Sequence, residues 1–89
     1  MRFAARVEVR LRPGIADPEG TTIERALPAL GFDDVRRVRA GRAFRFELEA
    51  PDLGAAETRA GELARRLLAN PVIEDSELEI EAVPAEEPA

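Results

Sequence analysis

The sequence predicts an α+β domain of two layers, in the ferredoxin-like order strand, helix, strand, strand, helix, strand, with an antiparallel sheet covered on one face by two helices. Three observations carry that reading. Apolar and charged residues alternate with a period of two near both ends of the chain and again in its middle. Two stretches between them repeat their apolar residues every three or four positions. Glycine, proline and aspartate punctuate the joints.

From Phe3 to Leu11 the odd positions are apolar, while Arg6, Glu8, Arg10 and Arg12 are charged, which is a strand with one buried face. Gly14 to Gly20 then turns strand into helix: Gly14 permits the sharp turn, Asp17 accepts from an orphan helix amide, and Pro18 stands at a first helical position where no donor is missed. Ile23, Ala26, Leu27 and Leu30 form the apolar stripe of a first helix over Pro18 to Leu30, stopped by Gly31. Thr21-Thr22-Ile23-Glu24 offers a competing, later start as a capping box, and Pro28 is expected to kink the helix. Val35 to Arg39 is read as a short second strand, although Val35 and Val38 have opposite parity. Ala40-Gly41-Arg42 turns the chain into a well-phased third strand, where Phe44, Phe46 and Leu48 alternate with Arg45, Glu47 and Glu49. Asp52 is set to cap a second helix with the stripe Ala56, Ala60, Leu63, Ala64, Leu67 and Leu68, which Asn70-Pro71 ends. Its three alanines and Gly61 point to a close approach by a neighbouring element. Leu78, Ile80 and Ala82 alternate with Glu77, Glu79 and Glu81 in the last strand. The domain is expected to span residues 1–83, with a disordered acidic tail over 84–89.

Composition narrows the function. Of 89 residues 45% are apolar, but sixteen of these are alanine, so large core side chains are few and self-association is expected. The net charge of -5 argues against nucleic acid and membrane surfaces, and the lack of Trp and Tyr removes stacking platforms. There is no Cys and no His, hence no thiolate chemistry and none of the commonest general base and metal ligand. No apolar run is long enough for a signal peptide or a membrane span, so a soluble, cytoplasmic protein is expected. Charge is divided: residues 1–45 hold ten Arg against six acids, and residues 46–89 three Arg against twelve acids. In the predicted topology the last strand lies beside the first, setting Glu77, Glu79 and Glu81 against Arg6, Arg10 and Arg12 on the face without helices. Arg36, Arg37, Arg39 and Arg42 cluster at the hairpin, where a docking surface is the preferred reading over a small-anion site. The acid pairs Asp33-Asp34 and Glu74-Asp75 read as solvated turn residues.

Gly14-Ile15, Asp17-Pro18-x-Gly20, Leu30-Gly31, Val38-Arg39-x-Gly41 and Leu67-Leu68-Ala69-Asn70-Pro71-Val72-Ile73-Glu74 resemble the PurS-type small subunit of phosphoribosylformylglycinamidine (FGAM) synthase, over residues 3–83. The chain departs from that pattern at Glu19, Arg42 and Ser76, where Gln, Lys and an aromatic residue are common. The resemblance implies a non-catalytic subunit of an ATP-dependent glutamine amidotransferase complex of purine biosynthesis. A glutaminase subunit releases ammonia, a large synthetase subunit uses it, and the small subunit, a homodimer or a tetramer, bridges the two. It further implies no cofactor on this chain, with ATP and Mg on the synthetase. Gly14, Asp17, Pro18, Gly20, Arg39, Gly41, Arg42, Asn70 and Pro71 are the candidate partner or dimer contacts. The alternative is a free-standing ferredoxin-like domain that binds a small effector at its hairpin arginines.

Overall fold

The alternation in the first strand places Phe3, Ala5, Val7 and Val9 on one face of β1 (Arg2–Leu11), all of them buried. A computed structural model, which describes residues 1–84, pairs β1 antiparallel with β2 (Gly41–Glu49) on one side and β3 (Glu74–Ala82) on the other. The register brings like faces together: Val7 stands opposite Phe44 and Leu78, and Ala5 opposite Phe46 and Ile80. One face of the sheet is thereby apolar and the other charged, as a period of two requires.

Helix α2 (Leu53–Leu63) lies on the apolar face. Asp52 caps it, accepting from the Ala55 amide at 2.8 Å, and the helix runs on as a π-helical turn over Ala64–Leu68. Ala56, Ala60 and Ala64 form its buried stripe, against Phe3 at one end of β1 and Val7 and Val9 at the other. The close approach announced by the alanines is therefore made by the chain's own sheet. Because those alanines add little volume, Phe3, Val7 and Val9 are the only large side chains fully buried among the described residues.

On the outer face the predicted ladder holds in part. Arg6 is 3.7 Å from Glu79, its cross-strand neighbour, and Arg10 reaches diagonally to Glu77 at 3.1 Å. Arg12 instead takes Asp75 at 3.2 Å, and Glu81 faces Ala4 rather than an arginine. These exposed pairs serve register more than stability.

The two-layer α+β class stands, and the order of elements is consistent with a ferredoxin-like chain, but three details differ. The sheet has three strands: Val35–Arg39 forms no strand. Arg37 turns into the left-handed region (φ 57), and the Val38 and Ala40 amides are bonded by the carboxylates of Glu24 and Asp17, so they are withheld from a ladder. Helix α1 is shorter than expected, Pro18–Ala26, starting at the Asp17 cap rather than at the Thr21 box. Pro28 opens a separate 3-10 turn, Pro28–Leu30, closed by Gly31 at φ 91, because a proline at the start of a turn costs no donor. Finally, only α2 covers the sheet. In α1 the sole buried residue is Gly20, while Ile23, Leu30 and, beyond them, Phe32 and Val35 are exposed. The molecule is correspondingly spread out, 50 × 35 × 16 Å with a radius of gyration of 17.3 Å, where a compact chain of this length would have about 12 Å. Of the tail expected to be disordered, residues 85–89 lie outside the described residues.

Candidate assembly interface

Most of the nine candidate residues meet at the root of α1. Asp17, 7% exposed, is the one buried polar residue among those described. Its Oδ1 accepts from the Gly20 amide at 3.0 Å, its Oδ2 from the Ala40 amide at 2.8 Å, and the Arg39 Nε lies 3.7 Å away. The Gly20 and Ala40 amides, which bond the ionised form, and then Arg39 hold the Asp17 carboxyl below the usual carboxylate range, against the opposing effect of burial. Pro18 fills the first helical position. Gly20 is required by close approach, since a Cβ there would stand 2.4 Å from the Val38 carbonyl oxygen. The same holds at Gly41, where a Cβ would stand 2.7 Å from the Val9 carbonyl oxygen across the strand pair. Gly14 sits further out, in the turn after β1, at φ 89.

A second chain of contacts leads from here to the end of the π-helical turn. Arg42 meets both oxygens of Glu74, at 3.0 and 3.1 Å, and Glu74 Oε1 accepts from the Asn70 amide at 2.7 Å. Asn70 in turn accepts from the amides of Val72, Ile73 and Glu74, and Arg12 donates to the Pro71 carbonyl at 2.5 Å. A shallow hollow of about 240 Å³ joins the two groups, with Asp17, Pro18, Gly41, Arg42 and Glu74 among its walls. Glu74, read as a solvated turn residue, is instead largely covered and ion-paired. Of the hairpin arginines, Arg39 and Arg42 are paired with Asp17 and Glu74, while Arg36 and Arg37 are exposed. An effector site on those four guanidinium groups is not favoured by this arrangement.

Two surfaces escaped the sequence reading. One is the apolar side of α1 and its 3-10 turn, Ile23, Leu27 and Leu30, which the three-and-four spacing marked as core. The other is a groove of about 470 Å³ between β2 and α2, floored by Phe46, Leu48, Ala60 and Leu63 and rimmed by Arg59 and Arg66. In a ferredoxin-like layer that strip of sheet is where another helix belongs. Glu24, whose Oε1 takes the Val38 amide at 3.1 Å, was also missed, since nothing local in the sequence announces a bond fourteen residues away.

Among the described residues no group of His, Cys, Asp and Glu is placed to hold a metal ion, and no helix is long and apolar enough to cross a membrane. The described residues form a thin α+β domain with an exposed helix face and an open groove beside α2. Known proteins place it further. The PurS family model, described as phosphoribosylformylglycinamidine (FGAM) synthase, matches residues 4–82. The phosphoribosylformylglycinamidine synthase subunit PurS of Synechocystis is 41% identical over 81 residues, covering 91% of this chain and 81% of that one. The crystal structure of Thermus thermophilus PurS superposes with a TM-score of 0.83 at 36% identity, covering 94% of this chain and 100% of that one. A chain in the structure of PurLQS from Thermotoga maritima superposes with a TM-score of 0.84 at 31% identity, covering 91% and 99%. The chain belongs to the PurS family of FGAM synthase subunits.

Proposed function

We propose that this chain is the non-catalytic small subunit of an FGAM synthase complex and works as a homodimer, or a pair of dimers, that bridges the glutaminase and the large ATP-dependent synthetase. The observation that carries the reading is a pair of open surfaces within a PurS-family chain: the α1 stripe, with Ile23 and Leu30 exposed and Leu27 half-buried between them, and the β2–α2 groove. One surface is an apolar helix stripe and the other a groove lined in part by Phe46, Leu48 and Leu63, so in this reading a second copy covers both, the α1 of one protomer lying in the groove of its partner around a two-fold axis. Exchange of a helix in this way enlarges a core that one chain leaves lean.

In the assembled enzyme the glutaminase frees ammonia and the synthetase uses it to replace the amide oxygen of formylglycinamide ribonucleotide. Ammonia released into neutral water takes a proton and loses the lone pair needed for attack, so holding the two partners together is chemically sufficient work for a third chain. ATP and Mg²⁺ belong to the synthetase in this reading, and the chain contributes positioning alone. The test is reconstitution from the three purified proteins. Glutamine-dependent formation of FGAM is expected to need this chain, while the reaction of the synthetase with added ammonium salt proceeds without it. A glutamine-dependent rate that is the same with and without the chain would overturn the proposal.

A further inference from the structure

We infer that Asp17 is a positioning residue that pins α1 to the segment entering β2 and thereby fixes the direction in which the helix reaches a partner. This rests on the reading of α1 as the element that covers a second copy. An ordinary helix cap needs one acceptor, and the Asp17 Oδ1 bond to Gly20 supplies it. The other oxygen is used differently: Oδ2 bonds the Ala40 amide, twenty-three residues away and just before β2. Glu24 adds a parallel tie to the Val38 amide at 3.1 Å, and Gly20 lets the helix backbone lie directly against the Val38 carbonyl. All three contacts join the same two pieces, α1 and residues 38–40.

Little else holds the helix. Gly20 is its only buried residue, and on its apolar stripe Ile23 and Leu30 are exposed and Leu27 is half-buried. From its helical and 3-10 rises the arm from Pro18 to Leu30 is about 19 Å long, so an error of about 15° at the root moves its tip about 5 Å, one helical turn. A loose root would leave the stripe sampling registers in the groove, and docking would then carry the entropy of ordering it. A pin at the root removes that cost in advance.

Two variants separate this role from plain capping. Asp17→Ser keeps a good cap for Gly20 but has no second oxygen for Ala40. Gly20→Ala favours the helix itself by propensity, while its methyl crowds both the Val38 carbonyl oxygen and Asp17 Oδ2, the oxygen that bonds Ala40. Each is expected to raise the homodimer dissociation constant, measured by sedimentation on a dilution series, at least tenfold. Helix content is expected to be kept in both, and hydrogen exchange at the Ala40 amide is expected to accelerate in Asp17→Ser while the Gly20 amide stays protected. If Gly20→Ala dimerises as tightly as the unaltered chain, or if Asp17→Ser does so, the pin is refuted and the dimer reading stands. If the unaltered chain stays monomeric at every concentration, the dimer reading itself fails.

Discussion

Leu30 offers the sharpest measure of how much the uncovered helix stripe contributes. It is 69% exposed in the isolated chain, at the tip of the arm, and it lies seven residues from Ile23 on the same stripe. Replacing it with Ala removes three carbons, which at about 0.8 kcal/mol each would forfeit about 2.4 kcal/mol on full burial. Roughly two thirds of that, about 1.6 kcal/mol, becomes available only when a partner covers the side chain, and a two-fold interface counts it twice, for about 3 kcal/mol. For the proposed homodimer, the dissociation constant of Leu30→Ala should therefore rise by about two orders of magnitude. The fold of each protomer should be untouched, since no buried residue of the core contacts is removed, and circular dichroism should show it. Light scattering or sedimentation over a dilution series reads the constant directly. A change of less than about threefold would mean that Leu30 faces water in the assembly, and the docking of α1 into the groove would be wrong.

The core predicts its own sensitivity. Val7 is fully buried between Ala64 and the two flanking strands, so Val7→Ala should cost about 2–3 kcal/mol in urea unfolding at fixed protein concentration, from two lost carbons plus a residual cavity. The exposed Arg45→Ala should change it by less than about 0.5 kcal/mol. A Val7 loss no larger than the Arg45 one would contradict the assignment of the core. Asp17 predicts an acid limb. Its folded pKa is depressed by the Gly20 and Ala40 amides, so its stabilising contribution is present in full above the unfolded carboxylate range, about pH 4, and is lost as pH falls through the lower folded value. The stability difference between the unaltered chain and Asp17→Asn should be flat near neutral pH and shrink below about pH 4. A difference that changed between pH 6 and 8 instead would place the coupling on another group.

What the residues alone determine here is whatever is decided within a turn or along one strand. Phe3 to Val9, Phe44 to Leu48 and Leu78 to Ala82 announce strands because each has one wet face, and the ferredoxin-like order read from them puts β3 beside β1, where Arg6 faces Glu79 and Arg10 faces Asp75. Asp17 and Asp52 announce caps because a side chain three residues from an amide reaches it without help from the fold. The motif residues Asp17, Gly20, Gly41, Arg42 and Asn70 could be named in advance for the same reason, as turn and cap chemistry, though not the partners they would find.

Tertiary structure decided the rest. The stripes Ile23-Leu27-Leu30 and Ala56-Ala60-Ala64 look alike as apolar periodicities, yet the second lies on the sheet and the first does not. Spacing reports that a face must be covered, and it is silent about whose surface covers it. Val35 to Arg39 looked like a strand because its composition suits one, but Glu24 and Asp17 take the Val38 and Ala40 amides and withhold both from a ladder. Such bonds, across fourteen and twenty-three residues, exist only after the chain has folded back on itself, which is why the joint at Asp17 could be read as a turn and not as a pin.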